Sequence, residues 1–137
     1  MKASEIIKEK LIRRSGETNI KLYKGDYCNI QLKNNTISSD KVPNTFELSV
    51  FDIVTDFLLT CPEYKAKKGD RQHSRVGEGK CMQGTLSYEI ATKYFGTEEG
   101  KYCLNPIFMI VAVLRWADVV ENGWGFVKLK PDFIAQR

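Results

Sequence analysis

Residues 105–120 read NPIFMIVAVLRWADVV, and this stretch decides what kind of fold the chain adopts. Eight consecutive apolar residues, 107–114, lie at its centre, which indicates a buried element. Several of them are β-branched, so a buried strand stays open as the alternative to a helix. The length of the stretch favours a helix over 106–120, as does the Asn105-Pro106 pair, a cap residue followed by proline at the first helical position.

Two amphipathic helices are predicted ahead of this stretch. The first covers residues 45–61, where apolar side chains recur at helical spacing and Pro62 ends the pattern. Asn44 and Glu47 at its start are spaced as in a capping box. The second covers residues 86–95, whose apolar side chains share one face and are followed by a glycine.

The N-terminal part alternates between helical and strand patterns. A short helix is predicted over residues 4–14. Residues 19–23 and 27–33 alternate apolar and polar side chains around a glycine-containing turn, which predicts a β-hairpin. A short third strand at 36–37 is an option, and residues 38–43 are expected to be a linker.

Strand patterns recur in the second half of the chain. Residues 81–83 predict a short strand between the first two helices of this half. Asn122-Gly123 marks a tight turn, and residues 124–129 alternate as a strand before Pro131. Residues 131–137 are expected to be a tail.

Length and composition predict one globular domain. The chain has 137 residues and a mass of 15.7 kDa, with 42% hydrophobic and 28% charged residues, which is too apolar for a disordered protein. We expect a single domain over 1–137, with an N-terminal subregion (1–43), a second subregion (44–130) and the tail. No apolar run reaches the length of a membrane span, and the first residues lack a secretory pattern, so we expect a cytoplasmic protein without membrane contact.

The cysteines and the single histidine do not form a metal-binding pattern. Cys28, Cys61, Cys81 and Cys103 are 33, 20 and 22 residues apart, and His73 is the only histidine. Zinc sites need much closer spacing of such ligands. Two disulfides are arithmetically open, but reduced, partly buried thiols are expected in a chain without a secretory signal. We therefore predict no metal site.

Positive charge is concentrated in one segment. The chain has 21 basic and 17 acidic residues, a net charge of +4. Residues 65–80 hold six basic and two acidic residues, so this segment alone accounts for the +4. A basic loop on a neutral body is typical of a phosphate contact, and the alternative is a solvated connection.

Candidate nucleic-acid-binding residues come from this loop, the second helix and the C-terminal strand. Trp124, flanked by two glycines, is suited to stack on a base or to wedge between two. The alternative for Trp124 is a ring folded over Trp116 that covers the core. The candidates are Lys65, Lys67, Lys68, Arg71, Arg75, Lys80, Lys93, Trp124 and Lys128, with Lys101 and Lys130 as additional cations.

Enzyme sites have weaker support. His73 and Cys81 are residue types that can form a base and a nucleophile, but a lone histidine in a basic loop is usually solvated. Asp52 and Asp56 lie one helical turn apart, as an acid pair requires, and this is also the spacing of a solvated helix face. We expect a non-enzymatic protein with no catalytic residues and no cofactor.

The order of elements over residues 44–130 resembles that of a winged helix-turn-helix domain. A helix, a basic loop, a short strand, two helices and a β-hairpin follow one another, and residues 84–96 (GTLSYEIATKYFG) look like the second helix of such a domain. The resemblance implies an α+β fold in which the N-terminal helix and β-hairpin pack on a winged-helix-like three-helix half with a C-terminal β-wing. Two features depart from the family pattern: the connection 97–104 is long, and residues 107–114 offer the major groove no polar side chain.

Two functions fit these patterns. The first is nucleic-acid binding, with a regulatory role as one option, through phosphate contacts of the basic loop and wing to duplex or single strand. The second is a protein-interaction module, as a homodimer or with another protein, that uses the apolar region 106–124. The first predicts binding that weakens with salt, whereas the second predicts a mass that depends on concentration.

Overall fold

The computed structural model describes residues 1–42, 45–69 and 74–136. Within these ranges the chain is an α+β protein with five α-helices and two antiparallel sheets. None of these helices is long and apolar enough to cross a membrane. The helices are α1 (Ala3–Ile12), α2 (Ser49–Thr60), α3 (Leu86–Glu89), α4 (Ile107–Trp116) and α5 (Pro131–Gln136).

The strands in the described residues are β1 (Glu17–Lys21), β2 (Tyr27–Lys33), β3 (Thr36–Ser39), β4 (Phe46–Glu47), β5 (Lys65–Lys67), β6 (Val120–Asn122) and β7 (Phe126–Leu129). The first sheet has the strand order β1-β2-β3-β4, and the second has the order β5-β7-β6. Every neighbouring pair is antiparallel. In the second sheet, β7 therefore lies between β6, which precedes it in the chain, and the distant β5.

Helix α4 lies at the centre of the core, and it settles the alternative at residues 107–114 in favour of a helix. Seven of its ten side chains are buried. The helix contacts β1 of the first sheet, β6 of the second sheet, and both α1 and α2. Because the contacting elements come from both ends of the chain, one hydrophobic core extends from Ala3 to Phe133.

Helix α4 ends earlier than the predicted boundary at residue 120. Asp118 adopts a left-handed backbone conformation with φ of 61°, which breaks the helix after Trp116. The Val119 amide then donates to the carbonyl of Leu114 at 3.0 Å, a bond typical of a helix C-terminus. The chain enters β6 at Val120, where the β-branched side chain is buried in the second sheet.

Helix α1 stabilises the C-terminal end of α4. The Lys10 ammonium group donates to the carbonyl of Trp116, one of the last carbonyls of α4, and lies 4.5 Å from the centre of the Trp116 ring. It is also 3.9 Å from a carboxylate oxygen of Asp118. A cation at this position complements the negative end of the helix dipole and binds a carbonyl that has no partner within the helix.

Helix α2 in turn stabilises the beginning of α1. The Asp52 carboxylate accepts hydrogen bonds from the Ser4 amide at 3.0 Å and from the Ser4 hydroxyl at 2.6 Å. Amides in the first turn have no partner within their own helix, so the carboxylate acts as a cap supplied by another element. A structural role thus accounts for Asp52 of the predicted acid pair.

The N-terminal half has more strand than the sequence predicts. Residues 46–47 pair as β4 with β3, so α2 begins at Ser49 and not at 45, and its N-cap position is Leu48. Asn44, the expected capping residue, lies outside the described residues. The third strand extends to Ser39 and turns the expected hairpin into a four-stranded sheet, which shortens the expected linker.

The second half differs from the predicted order at several points. Part of the expected basic loop is strand β5, while the strand expected at 81–83 is replaced by a 3₁₀ turn over Gly79–Cys81. The helix expected over 86–95 is present, but only its first turn, α3, is α-helical, and it continues as a π-helical turn over Ile90–Tyr94. The expected tail forms α5, because the Phe133 side chain is buried in the core.

We expect Met109→Ala to lower the free energy of unfolding by about 2–5 kcal/mol, the usual cost of deleting a buried side chain. Met109 is buried, and its sulfur lies 3.6 Å from the Cys28 sulfur of β2, where α4 meets the first sheet. Phe108 is the matched control, because this neighbouring side chain is larger but half-exposed. Urea denaturation in which Phe108→Ala costs as much as Met109→Ala would contradict this packing.

Candidate nucleic-acid interface

The second sheet has a buried face and an outer face because successive side chains alternate along its strands. Ala66 and Val127 are direct partners in the sheet and are buried in the core. The partners on either side of this pair are Lys65 with Lys128 and Lys67 with Phe126, and they lie on the outer face. We call this surface, with the exposed ring at the turn that follows β6, the wing face: Lys65, Lys67, Trp124, Phe126 and Lys128.

Acidic side chains moderate the charge of the wing face. The Lys65 ammonium group is 3.9 Å from a carboxylate oxygen of Glu63 and 5.2 Å from the centre of the Phe126 ring. Glu121 of β6 is the direct partner of Lys128 across the sheet. Ion pairs at exposed positions are weak and easily exchanged, so a phosphate can compete for these lysines.

Trp124 lies at the tip of the hairpin between β6 and β7 and is 82% exposed. Its ring is 6.2 Å from the Tyr23 ring, centre to centre, at an angle of 43°. This exposure excludes the alternative in which the indole covers the core at Trp116. A large aromatic ring left in solvent loses the free energy that burial would provide, which makes it a candidate contact for another molecule.

Lys68 is buried, so a phosphate in solvent cannot reach its ammonium group. Its side chain is only 5% exposed, and its ammonium group lies 4.1 Å from the centre of the Tyr23 ring. Burial lowers the pKa of Lys68 because the charged form loses hydration. The backbone amide of Lys68 donates to the carbonyl of Gly125 at 2.9 Å, so this residue supports the hairpin turn from beneath.

The other described cations of the basic segment, Arg75 and Lys80, are not part of strand β5. The Arg75 guanidinium lies 5.4 Å from the centre of the exposed Tyr102 ring. Lys80 is exposed in the 3₁₀ turn. Arg71 lies outside the described residues. The structure therefore divides the predicted basic loop into the strand β5, which joins the wing face, and a separate segment from residue 74 onward.

Two further predicted cations lie beside carboxylates. The Lys93 ammonium group is 2.6 Å from a carboxylate oxygen of Glu89, which is buried. Lys130 lies 3.4 Å from Asp118. Breaking the pair with the buried Glu89 is costly, so Lys93 is a weaker candidate than Lys65, Lys67 and Lys128. The Lys130–Asp118 pair is exposed and exchanges as easily as the pair of Lys65 with Glu63.

Two aromatic residues of this region, Phe126 and Tyr23, are not among the candidate binding residues that the sequence predicts. Phe126 lies on the outer face between Lys65 and Lys67, and the alternation of residues 124–129 was the available signal for its position. Tyr23 approaches Trp124 from the turn between β1 and β2, more than 90 residues away in the chain. A contact between two such distant turns depends on how the sheets pack, and no local pattern contains it.

The other candidate chemistry finds little support in the described residues. No group of three or more His, Cys, Asp or Glu side chains in this part of the chain is arranged to hold a metal ion. His73 lies outside the described residues, and Cys81 is buried. All four cysteines are free, and burial raises the pKa values of Cys28, Cys61 and Cys103, so these thiols stay protonated at neutral pH.

The turn that presents Trp124 brings Gly123 against the Phe126 ring. The Gly123 amide donates to the carbonyl of Phe126 at 3.0 Å, and a Cβ at this position would overlap the Phe126 ring. We expect Gly123→Ala to lower the free energy of unfolding by about 1–3 kcal/mol through this overlap. Adding Phe126→Leu should recover part of the loss, since the two changes share one contact. Additive effects of the two substitutions in urea denaturation would rule this out.

The wing face combines groups that bind different parts of a nucleotide. Lysine ammonium groups bind phosphate, and exposed aromatic rings stack on bases. Helix α4 cannot add base reading in the major groove, because its side chains from Met109 to Leu114 are buried in the protein.

No protein-family model matches the chain, and no curated protein and no solved structure matches it either.

Proposed function

We propose that the chain binds single-stranded nucleic acid through the wing face, without reading its sequence. The observation that carries the proposal is the exposed Trp124 ring beside a row of outward lysines. In the bound state the indole ring stacks on a base, and Lys65, Lys67 and Lys128 contact neighbouring phosphates. The spacing of Lys65 and Lys67 on one strand, about 7 Å, lets both contact the same backbone.

The topology of the second half supports this proposal. Helix α2, strand β5, helices α3 and α4, and the β6–β7 hairpin follow one another, and β7 pairs with both β5 and β6. On this order of elements we propose a winged-helix-like second half, in which the hairpin forms the β-wing. Under this proposal the strand that precedes α3 is β5, in place of the strand expected at 81–83.

A single strand fits the wing face better than a duplex does. Reading duplex DNA in the major groove requires a helix with exposed polar side chains, and α4 has neither exposure nor polar side chains along 109–114. Stacking on Trp124 requires an unpaired base whose face is accessible, which a strand without a partner provides. Affinity should then depend on charge and stacking and little on sequence.

The alternative, a protein-interaction module that uses residues 106–124, has fewer exposed apolar side chains available than the sequence predicts. The apolar side chains from Met109 to Leu114 are already covered by the chain's own sheets and helices. Phe108 and Trp124 remain exposed in this region, and they are carried by α4 and by the hairpin turn.

The first test is fluorescence anisotropy with labelled single-stranded and duplex DNA of matched length. Three phosphate contacts predict that single-strand affinity falls about 20-fold between about 50 and 200 mM salt. Lys65→Gln/Lys67→Gln should reduce both the affinity and this salt dependence. The matched control is Arg75→Gln/Lys80→Gln, which removes two cations from the other segment. Absence of binding, tighter binding to duplex, or an equal loss in the control would refute the proposal.

The second test isolates the aromatic contact. We expect Trp124→Ala to weaken single-strand binding by about 5- to 160-fold, since stacking on one base contributes about 1–3 kcal/mol. Trp124→Phe should retain most of the affinity, because a phenyl ring still stacks. Tyr102→Ala, an exposed aromatic residue outside the wing face, is the control and should change little. Wild-type affinity in Trp124→Ala would show that the ring does not contact the ligand.

A further inference from the structure

The exposed Tyr23 ring lies beside the Trp124 ring of the wing face. The two ring centres are 6.2 Å apart, within the range of an aromatic pair. Tyr23 is 42% exposed and Trp124 is more exposed still, so a ligand in solvent can reach both rings. The rings are carried by two separate turns, the one between β1 and β2 and the one between β6 and β7, which meet at this point.

Lys68 connects these two turns. Its ammonium group lies 4.1 Å from the centre of the Tyr23 ring, and its backbone amide donates to the carbonyl of Gly125, the residue after Trp124, at 2.9 Å. One residue therefore holds both the tyrosine ring and the tryptophan turn in place. Because the buried Lys68 side chain covers one face of the Tyr23 ring, the exposed surface of this ring lies on the other side.

The separation and the angle of the two rings determine how bases can contact them. A base inserted between two rings needs about 7–8 Å between the ring centres, twice the contact distance of carbon atoms. At 6.2 Å the gap between Tyr23 and Trp124 is too narrow for a base, and the two ring planes are inclined by 43°. Each ring can therefore accept a base only on its outer side, and two bases stacked in this way are inclined to each other.

We propose that the wing face, together with Tyr23, takes two consecutive bases, one stacked on Trp124 and one on Tyr23, and thereby favours strands whose neighbouring bases separate easily. This inference rests on the proposed function and names the class of strand that the site binds. Neighbouring adenines stack on each other and resist separation, whereas neighbouring thymines stack weakly. A preference for pyrimidine runs then arises from the flexibility of the strand, with no hydrogen bonds to base edges.

The first experiment counts the bases that the site takes. Competition binding compares strands of equal length made of abasic sugar-phosphate units, which carry no base, one thymine or two adjacent thymines. All three strands have the same charge, so differences in affinity report on stacking. We expect the first thymine to raise the affinity about 5-fold or more, and the second to raise it again by a similar factor. Equal affinity for one and two thymines would overturn the proposal and leave the stack on Trp124 intact.

Variants assign the second base to Tyr23. Tyr23→Leu should remove the gain from the second thymine and keep the gain from the first, because Trp124 is unchanged. Tyr23→Phe retains a ring over Lys68 and should keep both gains. Tyr102→Leu removes an exposed tyrosine outside the wing face and is the matched control. Loss of both gains in Tyr23→Leu would show that Tyr23 only positions Trp124, and an unchanged second gain would show that another group takes the base, so either result overturns the proposal.

The preference for flexible strands is tested with oligo(dT) and oligo(dA) of equal length. We expect the unmodified chain to bind oligo(dT) about 5-fold more tightly, and Tyr23→Leu to bind the two strands within about twofold, since a single stacked base requires no separation from its neighbour. Equal or tighter binding of oligo(dA) by the unmodified chain would overturn the proposal. Absence of binding to every strand would refute the proposed function itself, so the two failures are distinguishable.

Discussion

The uninterrupted apolar surface of α4 is the constraint that organises this protein. A helix with seven buried side chains cannot be covered from one side, so elements from both ends of the chain contact it. The first sheet and α1 cover part of its surface, the second sheet and α2 cover another part, and Phe108 stays half exposed. Polar contacts then secure the arrangement at its ends, with Lys10 at the last carbonyls of α4 and Asp52 at the first amides of α1.

The burial of α4 limits what this helix can contact outside the protein. In the second half, α2, β5, α3, α4 and the β6–β7 hairpin follow one another, and α4 also packs against the N-terminal sheet. A fold does not determine a function, and here the side chains of α4 from Met109 to Leu114 stabilise the core. The hairpin side is exposed, and there Lys65, Lys128 and Trp124 offer charge and an aromatic ring.

The elements that depend on local patterns could be predicted, and those that depend on distant partners could not. The pattern of apolar residues predicted α2, α4 and the β1–β2 hairpin, because each pattern is complete within one element. Strands β4 and β5 have two and three residues and are defined by their partners β3 and β7. The burial of Lys68 beneath Tyr23 depends in the same way on how the two sheets pack.

The position of α4 in the chain has a consequence for synthesis on the ribosome. The apolar faces of the first sheet and of α2 form from residues 17–60, but the helix that covers them begins only at Ile107. Strand β5 likewise waits for β7 near the C-terminus before it has a partner. A nascent chain therefore carries uncovered apolar surface and an unpaired strand until most of its length has emerged, which are the conditions under which chains aggregate or recruit chaperones.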